Sequence, residues 1–178
     1  SHADYTYEKK YCIRDHRGSG RASARETAAR VAAGAVAMQM LKVVNISVNA
    51  YVRRVGNVSI PENTSIDTTQ TYNNILRCPH EATALLMQKK IEETAQTGDT
   101  LGGIISCIIS GVPAGLGEPV FDKFHAQLGK AMLSINAVKG FEIGSGFFGS
   151  SQTGSQQNDV FETDKKGKVF TTTNNSGG

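Results

Sequence analysis

The sequence predicts an α+β fold, and three observations predict it. Three segments repeat apolar residues at helical spacing. Runs with a period of two, or apolar on both faces, stand between them. The two kinds alternate irregularly, without the strand–helix–strand rhythm of a parallel sheet. With 178 residues, 39% hydrophobic and 20% charged, the chain reads as one folded domain over 1–178 with a substantial core.

The first helix is expected from Ala22 to about Lys42. Ser23 and Glu26 make a Ser-x-x-Glu capping box with Ser23 as N-cap. Ala24, Ala28, Val31, Ala35 and Met38 line one face, and Ala29, Ala33, Val36 and Met40 a second. A helix apolar around its girth is expected to be buried between layers. Residues 45–55 alternate: Ile46, Val48, Ala50 and Val52 on one side, Ser47, Asn49, Tyr51 and Arg53 on the other, which predicts a strand with one wet face. Residues 57–74 read as loop. Pro79 opens a second helix over about His80–Thr97, with Ala84, Met87, Ile91 and Ala95 inward and Gly98 closing it. The run at 102–112 is apolar on both faces and predicts a buried strand. Pro119 suits a helix start, with Phe121, Phe124, Leu128 and Met132 on the buried side. Residues 137–143 read as a strand, 144–159 as loop, and 160–173 as a hairpin turning at Lys166-Gly167.

The totals narrow the function. A net charge of +3 without a basic stripe interleaved with aromatics argues against a nucleic-acid partner. No segment is long and apolar enough to predict a membrane span, so a cytoplasmic protein with no membrane partner is expected. Cys12, Cys78 and Cys107 are odd in number and far apart, which predicts neither a disulfide framework nor a metal site and suits a reducing compartment. Gly144, Gly146 and Gly149 match G-x-G-x-x-G, but the sequence after them makes a poor helix, so a flexible loop is expected over a dinucleotide turn.

The strongest chemical signal lies earlier. Arg17, Arg21, Arg25 and Arg30 fall within fourteen residues around the first helix start. Capping accounts for Ser23 and Glu26. It does not account for Arg21 and Arg25, whose charges oppose the positive end of the helix dipole. Two guanidinium forks, a helix start and the glycines of Arg17-Gly-Ser-Gly-Arg21 together predict an anion site, most simply for phosphate. His16, His80 and His125 read as structural, and by spacing alone so does His2.

The stretch HADYTYEKKYCIRDHRGSGRASARETAARVAAGAVA resembles the chorismate synthase family. The resemblance continues through GDTLGGIISCIISGVPAGLGEPVFDKFHAQLGKAMLSINAVKGFEIGSGF and into GSQQND and NNSGG, leaving out the variable stretch around residues 56–80. It implies a β-α-β sandwich of antiparallel sheets enclosing buried helices, usually a homotetramer. It implies an enzyme of aromatic amino acid biosynthesis, a phosphate lyase of the shikimate pathway. Such enzymes convert 5-enolpyruvylshikimate 3-phosphate to chorismate by 1,4-elimination of phosphate, with reduced FMN lending an electron and taking it back. By the family pattern, Arg21, Ala22 and Ser23 contact FMN, as do Asn136 and Ala137. Ala24 and Arg25 contact the substrate. His2 matches the histidine that protonates reduced flavin, a role that suits histidine because its unperturbed pKa lies near neutrality.

Cys12 and Ser19 stand where the family more often has glycine. Family chains are roughly twice as long, so this one resembles a central portion, with a second catalytic histidine and further arginines expected outside it. The segment alone is expected to be inactive and prone to self-association. A non-catalytic flavin- or phosphate-binding module is the alternative. A flavin reductase using NADP ranks last, because no separate nicotinamide site is read.

Overall fold

The computed structural model describes residues 4–177. The chain is α+β, its sheets antiparallel throughout, and it divides into two compact units: Ser1–Val31 with Pro113–Gly178, and Ala32–Val112.

The contiguous unit carries most of the first long helix and the largest sheet. Helix α2 (Thr27–Val43) begins in the other unit and enters this one. Strand β1 (Ser47–Val55) is central, with β2 (Val58–Ser59) and β3 (Gly103–Ser110) on either side in the order β2-β1-β3. The β1–β3 register runs from Ser47 opposite Ser110 to Val55 opposite Gly103, with a bulge between Val52 and Arg54. Glycines bound β3 because the backbones press close there. A Cβ on Gly111 would lie 2.1 Å from the Asn45 carbonyl oxygen, and one on Gly103 would lie 2.6 Å from that of Arg54. Helix α3 (Glu81–Gln96) supplies Ala84 and Met87 to a core completed by Tyr51, Ile60 and Cys78. Its N-cap, His80, uses Nδ1 to reach the Thr83 hydroxyl at 2.7 Å rather than a backbone N–H.

The other unit is built from both ends of the chain. Helix α1 (Asp4–Tyr11) leads into the arginine loop. From the second segment come β4 (Gly117–Glu118), β5 (Asp122–Lys123), helix α4 (Phe124–Leu133), the single turn α5 (Gly154–Gln157) and the hairpin β6 (Phe161–Thr163) with β7 (Val169–Thr171). The hairpin turns where expected, through Asp164–Gly167. Asp164 Oδ1 accepts from the Lys166 and Lys168 backbone N–H groups, and Gly167 takes φ 82°.

Several expectations change. Helix α1 escapes the periodicity because its residues are nearly all polar or aromatic. Tyr51, expected on the wet face of its strand, is buried, because α3 packs on that side. Pro119 does not open a helix: the short β4–β5 pair intervenes and α4 begins at Phe124. Residues 137–143 form no strand. Ala137 sits at φ 66°, outside extended geometry, and Phe141 turns onto α4, where a Cβ on Gly129 would meet its ring at 3.3 Å. Residues 146–151 are a 3-10 turn followed by α5, and the element before them is helix α4 rather than a strand, so the dinucleotide pattern has no structural counterpart. The largest change concerns burial. No residue of α2 is buried, and Ile105 of β3 is 71% exposed. Their apolar faces are not covered by any described element.

Candidate functional site

Two 3-10 turns carry Arg21 and Arg25. The first spans Gly20–Ala22 and the second Ala24–Glu26, with Ser23 between them in extended geometry. The second runs directly into α2, so Ser23 does cap the helical run. Its Oγ accepts from the Arg25 N–H at 3.3 Å. The reciprocal half of the capping box does not form. The Ser23 N–H is already donated to the Gly20 carbonyl at 3.1 Å, leaving nothing for Glu26, which turns forward to Arg30 instead.

Asp4 anchors the base of this loop. One carboxylate oxygen accepts from Ser19 Oγ at 2.9 Å and the other from Arg14 Nε at 3.1 Å. The Ser19 hydrogen bond foremost, and Arg14 with it, hold the Asp4 carboxyl below its ordinary pKa, against the desolvation that would raise it. An acid at the head of a basic stretch is the sequence signal that points to this anchor. Two positions of the loop are left-handed without being glycine: Cys12 at φ 55° and Ser19 at φ 64°. These are the two positions at which the resemblance leads one to expect glycine, and the geometry agrees with that expectation. A side chain at positive φ is sterically unfavourable and glycine is not.

The four arginines divide by their partners. Arg17 leans on Asp15, whose carboxylate is held low mainly by the Arg17 backbone N–H. Arg30 is committed to Glu26 and Ser134. Arg25 reaches the Gly18 carbonyl through Nη1 at 3.4 Å, a long and weak bond. Arg21 has no hydrogen bond or ion pair among the described residues. Arg21 and Ala22 edge a cleft of about 310 Å³ lined also by Tyr7, Tyr11, Ile13 and Gly20, within the usual size for a small-molecule pocket.

Asn136 and Ala137 lie in the exposed turn after α4, closed by the Val138 N–H to the Ile135 carbonyl. No hydrogen bond joins them directly to residues 21–25 among the described residues. The connection runs through Arg30, whose guanidinium grips Ser134 104 residues away. Spacing along the chain could not reveal that pairing. His2 lies outside the described residues.

The fold thus defines an α+β protein that presents a guanidinium unpaired among the described residues, Arg21, on a loop anchored by a carboxylate. The family model for chorismate synthase matches residues 1–178. The chain is 59% identical to the chorismate synthase of Cytophaga hutchinsonii and 56% identical to that of Christiangramia forsetii. Each comparison covers 100% of this chain but 50% and 49% of those proteins. A crystal structure of a chorismate synthase superposes with a TM-score of 0.84 at 30% identity, covering 97% of this chain and 56% of that one. The chain belongs to the chorismate synthase family. It spans about half the length of the curated relatives it matches.

Proposed function

We propose that this chain is the central segment of an FMN-dependent chorismate synthase, which eliminates phosphate from 5-enolpyruvylshikimate 3-phosphate to give chorismate in the shikimate pathway. The observation that carries the reading is the division of the arginines. Two are neutralised by carboxylates, while Arg21 is open and Arg25 is held only weakly. An open guanidinium beside a helix start suits a phosphate-bearing ligand.

In this reading Arg21, Ala22 and Ser23 hold the flavin from one side and Asn136 and Ala137 from the other. The residues fit such a group: a free fork for its phosphate, a half-exposed hydroxyl at Ser23, and a left-handed backbone at Ala137 of the kind that clusters at ligand clamps. Reduced FMN, when bound, supplies transient electron donation without net redox change. Ala24 packs beside the substrate, and Arg25 exchanges its long bond to Gly18 for a forked grip on a substrate anion. His2 delivers the proton to the flavin side. The enzyme works as a homo-oligomer, tetrameric as in the family pattern, and in the cytoplasm. No helix among the described residues is long and apolar enough to cross a bilayer.

The test is Arg25→Lys in the full-length protein, because lysine keeps the charge and loses the fork. Substrate affinity should fall by about 10- to 100-fold, the range for a charged hydrogen bond, while the melting temperature stays unchanged. Unchanged affinity with a lower melting temperature would reduce Arg25 to a structural part of the loop.

A further inference from the structure

We propose that Arg30 is a positioning residue. It clamps the turn bearing Asn136 and Ala137 to the helix that starts beside Arg21–Arg25, and so sets the spacing between the two halves of the flavin site. The inference rests on the flavin reading of those residues.

The geometry is that of a clamp rather than a surface ion pair. Arg30 Nε faces the Glu26 carboxylate at 3.0 and 3.1 Å, one turn earlier on the same helical run. That contact holds the guanidinium plane. The outer edge then grips a single residue twice: Nη1 donates to Ser134 Oγ at 2.6 Å and Nη2 to the Ser134 carbonyl at 3.2 Å. A forked, planar grip fixes orientation as well as distance, which a lysine could not do. Ser134 is in turn held at the end of α4, its hydroxyl donating to the Ala131 carbonyl at 2.6 Å. Two residues on come Asn136 and then Ala137 at φ 66°.

Among the described residues, Arg30 makes the only long-range hydrogen bonds to residues 134–138. A left-handed alanine persists only where its surroundings hold it. The Arg30 side chain is 43% exposed, so its pairing with Glu26 adds little to stability. What the clamp supplies is alignment of two segments that approach from opposite ends of the chain.

The test measures FMN affinity by flavin fluorescence, and melting temperature, in the full-length protein. The variants are Arg30→Met, Arg30→Lys, Ser134→Ala and the Arg30→Met/Ser134→Ala double, with Arg21→Ala and Asn136→Ala as reference. Arg30→Met should weaken FMN about 10-fold, as for a lost charge-assisted bond, at nearly unchanged melting temperature. Ser134→Ala should cost about 2- to 3-fold, since its carbonyl still accepts. The double should be no worse than Arg30→Met, because both remove one interaction. Arg30→Lys should fall between wild type and Arg30→Met.

If Arg21→Ala and Asn136→Ala weaken FMN while Arg30→Met stays within about twofold of wild type, the clamp is overturned and the flavin reading stands. If none of the variants affects FMN, the flavin reading fails and the clamp with it. Affinity losses that track melting temperature across the series overturn the proposal in favour of a purely structural Arg30. Should Arg30→Met not fold, unchanged affinity in both Ser134→Ala and Arg30→Lys overturns it equally.

Discussion

The arginine loop and the core beneath β1 are held together by opposite means. Around Met87 the chain is fixed by burial: Tyr51, Ile60, Cys78 and Ala84 surround a methionine with no exposed surface. Between α1 and α2 almost nothing apolar is buried. There the backbone is tied by Asp4 to Ser19 and Arg14, bends through left-handed residues at Cys12 and Ser19, and leaves cations facing outward. The core uses a non-directional force that tolerates small adjustments of geometry. The loop uses directional bonds that place particular groups. Polar anchoring of this kind adds little to global stability but determines where a guanidinium stands.

The sharpest break between the two regions comes from truncating the core. Met87→Ala removes a fully buried side chain and should destabilise the protein by about 2–5 kcal/mol, read from the urea midpoint. Its effect on flavin affinity under native conditions should be negligible. A matching loss of affinity would mean that the loop depends on the core for its shape.

A smaller and opposite effect is expected at Cys12. It sits at φ 55° just past the end of α1, its N–H donated to the Glu8 carbonyl at 2.8 Å, a position that favours glycine. Cys12→Gly should stabilise the protein by about 0.5–1 kcal/mol. Ser19→Gly relieves similar strain but gives up the hydroxyl bond to Asp4, worth about 1 kcal/mol, so its net change should be near zero or destabilising. The pair can be compared by chemical denaturation. Destabilisation by Cys12→Gly would show that the loop stores no strain there.

The gentlest probe is pH, at a third place held by polar ties. Asp159 accepts from Thr173 Oγ1 at 2.6 Å, the Ser176 N–H at 2.8 Å and the Asn175 N–H at 2.7 Å. These bonds, Thr173 foremost, lower its pKa from 3.8 to about 2. A depressed carboxyl stabilises the fold above its unfolded value and loses that contribution as pH falls from 3.8 towards 2. The amides of Asn175 and Ser176 should therefore lose hydrogen-exchange protection across that window, and Asp159→Asn should abolish the pH dependence. Protection that is flat through the window would assign the order of this segment to other contacts.

Local patterns were legible in the sequence where local physics decides them. Helix α3, strands β1 and β3 and the β6–β7 hairpin fall within a few residues of their expected bounds, because period, caps and turn residues act over short range. The family was legible for a different reason: long ordered stretches match it, and the chain's membership bears that out. What was not legible depends on neighbours. The alanine-rich face of α2 and the isoleucines of β3 announce burial, but burial needs a second surface, and none of the described elements provides it. Ala137 is an ordinary residue whose left-handed backbone leaves no mark in composition. Ser134 matters through a partner, Arg30, that only folding brings near.

The discontinuity of one unit also has a consequence in time. Residues 32–112 are contiguous and can complete their contacts as soon as they leave the ribosome. The unit that holds the arginine loop cannot, because its second half starts at Pro113. Closing the 104-residue interval between Arg30 and Ser134 carries an entropic cost of about 4 kcal/mol from its length alone. Contacts of that separation form late and slow a chain's assembly. The loop is therefore synthesised long before Ser134 and waits for that partner, held in the interval by Asp4, Arg14 and Ser19, all within reach of one another from the start.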